Sequence, residues 1–168
     1  MNILDSLLSA GSGDVVNQLA GRFGINPEQA TSAVSALVPM LAGGMKEKIA
    51  NNDTGLTDLL TGGQMAQFAV DPSSLQSPAA TVAGNDLVSR IFGSAGTSNI
   101  ISTVAEKGGI SSEVVGKLLP IVATLVGGFI SKSAASGGSL TDTVGQLSEV
   151  GQGGIMGAVK ALASKVLG

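Results

Sequence analysis

The sequence predicts an all-α protein, a tandem duplication of a multi-helix unit of about 84 residues with proline-kinked central helices. Three observations carry this. Strand signals are poor: the aromatics are four Phe, no apolar–polar alternation is sustained, and Ala, Leu, Gln and Lys run through the periodic stretches. Helix punctuation is good. Finally, an ordered series of short segments recurs at offsets that stay between 81 and 85 residues.

Taken in chain order, NILDSLLSAG from Asn2 is loosely echoed by NDLVSRIFGS from Asn85. Next, DVVNQLAGRFGINPEQ (Asp14 to Gln29) matches NIISTVAEKGGISSEV (Asn99 to Val114). Val15, Val16 and Leu19 fall on Ile100, Ile101 and Val104, and Gly24-Ile25 falls on Gly109-Ile110. Asn26-Pro27-Glu28 then starts a long helix, with an N-cap, a proline at the first helical position and an acid in the first turn. Ser111-Ser112-Glu113 opens the second copy of that helix without the proline.

The long helices hold LVPMLAGGM (Leu37 to Met45) and LLPIVATLVGGFI (Leu118 to Ile130), pairing Pro39 with Pro120 and Gly43-Gly44 with Gly127-Gly128 across a small insertion. An internal proline removes a backbone donor, so each helix is expected to kink or split there. Two glycines cost about 1 kcal/mol each relative to alanine, and a helix that tolerates them is expected to be buried, with neighbours pressed against bare backbone. A short helix at Leu56-Thr57-Asp58 is echoed at Leu140-Thr141-Asp142. After Gly153-Gly154, Ile155, Val159, Leu162 and Val166 mark a final amphipathic helix. The expected organisation is a first repeat over 1–70, a Pro/Ser-rich connector over 71–83 that breaks any helix, and a second repeat over 84–168.

Composition restricts the function classes. The 168 residues include no Cys, His, Trp or Tyr, which removes disulfides, thiolate metal sites and the commonest metal ligand. Charged residues make up 12%, about half the usual share for soluble domains, while the 25 glycines are about twice the expected number. A net charge of −3 gives little repulsion between copies. Nine scattered cations make a poor nucleic-acid surface. The thirteen uncharged residues from Leu118 fall short of the roughly 20 a membrane span needs, and MNILDSLLSAG lacks the basic start of a signal peptide. A soluble, cytoplasmic chain is expected, with export by a route that uses no cleaved signal left open.

At GINPEQATSAVSALVPMLAGGM (Gly24 to Met45) the sequence resembles the YidB-like family, small glycine-rich helical bacterial proteins of unknown function. The likeness is tight over about twenty residues, and the second copy departs from it at Ser111-Ser112 and Val114-Val115. The resemblance implies a helical, non-enzymatic protein and supplies no catalytic residues.

The residues themselves point the same way. Gly11-Ser12-Gly13 and Gly151-Gln152-Gly153-Gly154 lack the lysine and preceding strand of a phosphate loop, and no serine has a histidine partner or Ser-x-x-Lys spacing. Asp58 and Asp142 recur between the copies, but an acid early in a short helix complements its dipole. Asn52-Asp53-Thr54 fits a glycosylation acceptor, a pattern that recurs by chance. The expectation is therefore a self-assembling structural protein without cofactor or metal, whose partner is a second copy, forming a homo-oligomer or filament. Residues 1–83 carry −4 and residues 84–168 carry +1, so unequal copies of one unit could meet head to tail. The candidate contact residues are Leu37, Pro39, Met40, Leu41, Gly43, Gly44, Leu118, Pro120, Ile121, Leu125, Gly127, Gly128 and Phe129. The alternative is a membrane-active or lipid-binding helical protein, disfavoured by the absence of interfacial Trp or Tyr and of a basic helix face.

Overall fold

Local capping chemistry sets where the helices begin. Asp53 Oδ1 accepts from the Leu56 N–H at 3.1 Å, Ser77 Oγ from Ala80 at 3.2 Å and Ser111 Oγ from Val114 at 3.4 Å. Each satisfies an N–H that the first turn leaves without a helical partner. The resulting elements are α1 (Gly13–Phe23), α2 (Pro27–Ala50), α3 (Thr54–Thr61), α4 (Ala66–Val70), a 3-10 turn (Pro72–Gln76), α5 (Pro78–Gly108) and α6 (Ser112–Ala135). A last helical stretch covers 140–145. The structure, a computed structural model, describes residues 13–70 and 72–145, and among them it is all-helical. The helices expected at the N-terminal NILDSLLSAG and after Gly153-Gly154 lie outside the described residues.

Two turns have the same construction. Gly24 and Gly109 adopt left-handed dihedrals, with φ of +66° and +61°. Ile25 N–H then reaches back to Ala20 O at 3.0 Å, and Ile110 N–H to Ala105 O at 3.2 Å, a Schellman ending in both cases. The helices that follow, α2 and α6, are each 24 residues long and start 85 residues apart. At that common offset the two helices coincide end to end. Pro39 is the thirteenth residue of α2 while Pro120 is the ninth of α6, so the two prolines occupy different turns. Both helices continue past their Gly-Gly pairs, to Ala50 and Ala135.

Within the expected connector, residues 72–83 are not helix-free: a 3-10 turn over Pro72–Gln76 leads through Ser77 into α5. Pro78 sits in the first turn of α5, where the missing N–H costs no helical bond, and the Ser77 cap completes the start. The helix then runs to Gly108, interrupted only at Gly93, whose φ of 66° and ψ of −176° are not helical. The N-terminal segment 78–92 is called α5a below and the segment 94–108 α5b.

Helix α6 is the centre. Thirteen of its residues are buried, on all sides of the helix, as expected of a helix enclosed by neighbours rather than lying on a surface. It packs against α2, α3, α4 and α5. Leu37, Leu41 and Met45 of α2, Leu56 and Leu60 of α3, and Leu118, Val122, Val126 and Ile130 of α6 all join one apolar cluster. Burying each such side chain is worth about 1.5–3 kcal/mol. Residues from both halves of the chain therefore share one large core, and a small separate cluster of Val16, Ala20 and Ala30 packs where α1 meets α2.

Candidate functional site

The glycine-bearing helix faces, singled out by the sequence as contact surfaces, divide into filled and open positions. The tightest approach is where α5a crosses α6. Gly84 lies so close to α6 that a Cβ there would overlap the Pro120 carbonyl oxygen and sit 2.6 Å from Thr124 Oγ. At the same crossing the buried Thr124 hydroxyl lies 2.6 Å from Ala80 O and 2.8 Å from Pro120 O, donating to one at a time. Bare backbone thus meets bare backbone, and a hydroxyl ties the two helices.

Gly127 is filled in the same way. A Cβ there would be 2.9 Å from Leu87 Cδ2 and from Met65 Sδ. At Gly44 it would overlap Ile91 Cγ2 and approach the Phe92 ring at 2.6 Å. Both glycines are occupied by side chains of their own chain. Gly43 differs: nothing lies within 4 Å of where its Cβ would be.

Of the candidate contact residues, Leu37, Leu41, Leu118, Pro120, Ile121, Gly127 and Gly128 are buried within the fold. Pro39, Met40, Gly43, Gly44, Leu125 and Phe129 are half-buried. Among these, Met40 and Gly43 continue a half-covered row from Ala36 at helical spacing of four and three. Val82 on α5a is the large apolar side chain that stands exposed among the described residues, at 67%.

The polar groups are sparse and locally paired. Asp86 and Arg90 pair at 3.0 Å, and Glu113 and Lys117 at 2.8 Å, each one helical turn apart and in solvent. The hydrogen bond and charge from Lys117 hold the Glu113 carboxyl below the usual glutamate range. No group of three or more acids, His or Cys converges among the described residues. Gln29 has a role not read from the sequence. Its Oε1 accepts from Asn26 N–H and its Nε2 donates to Gly109 O, both at 3.1 Å, so it ties the start of α2 to the Gly109 turn 80 residues away.

Gly84 and Gly93 also escaped sequence reasoning. The available signal for Gly84 was Ala80 one turn earlier, a pair of small residues on one helix face. For Gly93 the cluster Gly93-Ser94-Ala95-Gly96 inside an otherwise continuous helix was the signal.

These features define a class: an all-helical bundle whose close crossings are made by glycine, with its polar groups spent on caps and helix-surface pairs. The chain belongs to the family described as bacterial protein of unknown function (DUF937), whose model matches residues 5–133, in agreement with the likeness to YidB-like proteins. No curated protein and no solved structure matches it.

Proposed function

We propose that this protein is a non-enzymatic structural protein that associates with copies of itself, as a homo-oligomer or filament, through helix faces. The observation that carries this reading is the free space over Gly43 on α2, at the end of the half-covered row Ala36, Met40 and Gly43. Gly44 and Gly127 of the Gly-Gly pairs are already filled from within, whereas space remains over Gly43 for a second copy's helix. The low charge content and a net charge of −3 leave that approach weakly opposed.

The reading includes a tandem origin for the two halves. Support comes from the paired turns at Gly24 and Gly109, the equal lengths of α2 and α6, and their common offset of 85 residues. It also includes a bend in α2 and α6 at Pro39 and Pro120, which would shape the face presented to a partner. A lipid-binding reading has one supporting observation: α6 is long and apolar enough to cross a membrane. Against it, 72% of that helix's most apolar window is already covered by the rest of the chain.

The test is the native molar mass by light scattering, with refractive-index detection because the chain has neither Trp nor Tyr. A mass well above 16.5 kDa that falls in Gly43→Arg while helicity is retained supports the reading. A wild-type monomer at every concentration removes it. Flotation of most of the protein with liposomes would favour the lipid reading instead.

A further inference from the structure

We propose that Gly93 is a hinge at which two copies of this chain exchange their C-terminal halves. The backbone there, with φ of 66° and ψ of −176°, lies in a region that is essentially open to glycine alone. The bend is tight as well as unusual. A Cβ on Gly96 would fall 2.9 Å from the Phe92 Cβ on the other side of the break. Were Gly93 helical, α5 would be one straight rod of 31 residues, about 46 Å long. Such a rod regains the ladder bonds that any helix break interrupts.

The bent form exists because of what it brings together. After α5b the chain turns at Gly109 and Ile110 and returns as α6, and α6 makes its closest crossing with α5a, on the far side of the hinge. Across that divide lie Gly84 against Pro120, Thr124 with Ala80, Gly127 against Met65, and Gln29 with Gly109. A straight α5 carries α5b and α6 away from their own N-terminal half. Each of those contacts can then form only with the N-terminal half of a second copy, in which all are reproduced. Bent monomer and exchanged dimer thus share their packing and differ at the hinge, the condition under which exchange of identical elements is a low-cost route to association.

The inference rests on the self-association reading for its purpose, and the experiment separates the two. Gly93→Ala excludes the bent dihedrals and favours the helical ones. It should shift the bent–straight balance by about a hundredfold per chain, and so a dimer's association constant by about ten-thousandfold. Gly96→Ala acts in the same direction through the crowding with Phe92 and leaves Gly93 free to bend. The readouts are molar mass by light scattering, far-UV circular dichroism, and mass again at intervals after dilution.

The expected result is a dimer of native helicity that persists on dilution and separates only as the chain unfolds. A helical Gly93→Ala monomer with merely lowered stability overturns the hinge. So does a dimer that redistributes at once on dilution, since faces in contact part without unfolding. If Gly93→Ala does not fold, wild-type protein refolded from urea at about millimolar concentration decides: a persistent dimer fraction supports exchange, and monomer alone overturns it. A wild-type chain that is always monomeric beside a dimeric Gly93→Ala would remove the self-association function and leave the hinge standing. A wild-type oligomer unaffected by either substitution would do the reverse.

Discussion

The crossing of α5a and α6 gives the sharpest stability prediction, Gly84→Ala. The added methyl would overlap the Pro120 carbonyl oxygen and stand 2.5 Å from the Pro120 carbonyl carbon. A carbonyl in mid-helix cannot rotate aside as a flexible side chain would, so the helices must separate. Overpacking costs about 1–3 kcal/mol, and a backbone obstacle places this case near the upper figure. Separation also stretches the Thr124–Ala80 hydrogen bond, worth about 1 kcal/mol. Removing a glycine from a helix returns about 1 kcal/mol. The net loss is about 3 kcal/mol, a large share of the 5–15 kcal/mol by which domains are usually stable. Urea unfolding followed by far-UV circular dichroism reads it. With a slope of about 2 kcal/mol per molar, the midpoint falls by about 1.5 M. A midpoint within about 0.25 M of wild type, at unchanged helicity, would mean that the helices are not in backbone contact at Gly84.

Gly43→Ala should do the opposite: with nothing near the new methyl, unfolding free energy rises by about 0.5–1 kcal/mol at a dilution where the monomer prevails, and a loss would show that position to be filled. Ser131→Ala should stabilise by about 1 kcal/mol, because the buried Ser131 hydroxyl has no hydrogen-bond partner; destabilisation in the same urea experiment would reveal one. Glu113 gives a pH signature of definite sign. Its folded pKa is depressed by Lys117, so the pair's contribution is present above the unfolded pKa and lost as pH falls through the folded one. Lys117→Ala should return the Glu113 titration, followed by NMR, upward to the ordinary range, and the two proteins' stabilities should converge in acid. An unmoved titration would show that Lys117 is not the cause.

The parts of this fold that were legible in sequence are those fixed within one or two helical turns. Asn26-Pro27 and Ser111 start α2 and α6 as read, since capping needs only the residues beside it. The uncharged run from Leu118 lies in a buried helix because thirteen apolar or small residues have no stable place in water. Pro78 misled for a related reason: a proline read as a breaker is, behind a capping serine, a good first residue. The glycines were legible only in part: close neighbours were expected at the Gly-Gly helices, as Gly44 and Gly127 have, but not which glycine would be filled, which left open and which a break. Gly24 and Gly109 make left-handed turns, Gly84 and Gly127 admit a neighbouring helix, Gly43 faces open space, and Gly93 breaks a rod. The residue is the same in each case, and what separates the roles is the partner across the fold or the dihedral that partner enforces.

That division bears on why the Gly-Gly pairs were a reasonable but coarse guide to a contact surface. In a chain with only four aromatics, helices cannot be held apart and filled by large rings; they close until backbone meets backbone. Glycine is then the residue of every intimate crossing, within a chain or between two. Gly44 and Gly127 serve the intramolecular kind, meeting Phe92 and Met65. Only a glycine whose space is vacant has capacity for the other kind, and a hinge glycine can convert one into the other without any new surface. The proposed association through Gly43 and the proposed exchange at Gly93 therefore draw on one property of this sequence, its bare helix backbone. They are separable because an open face exchanges partners freely while a threaded half does not.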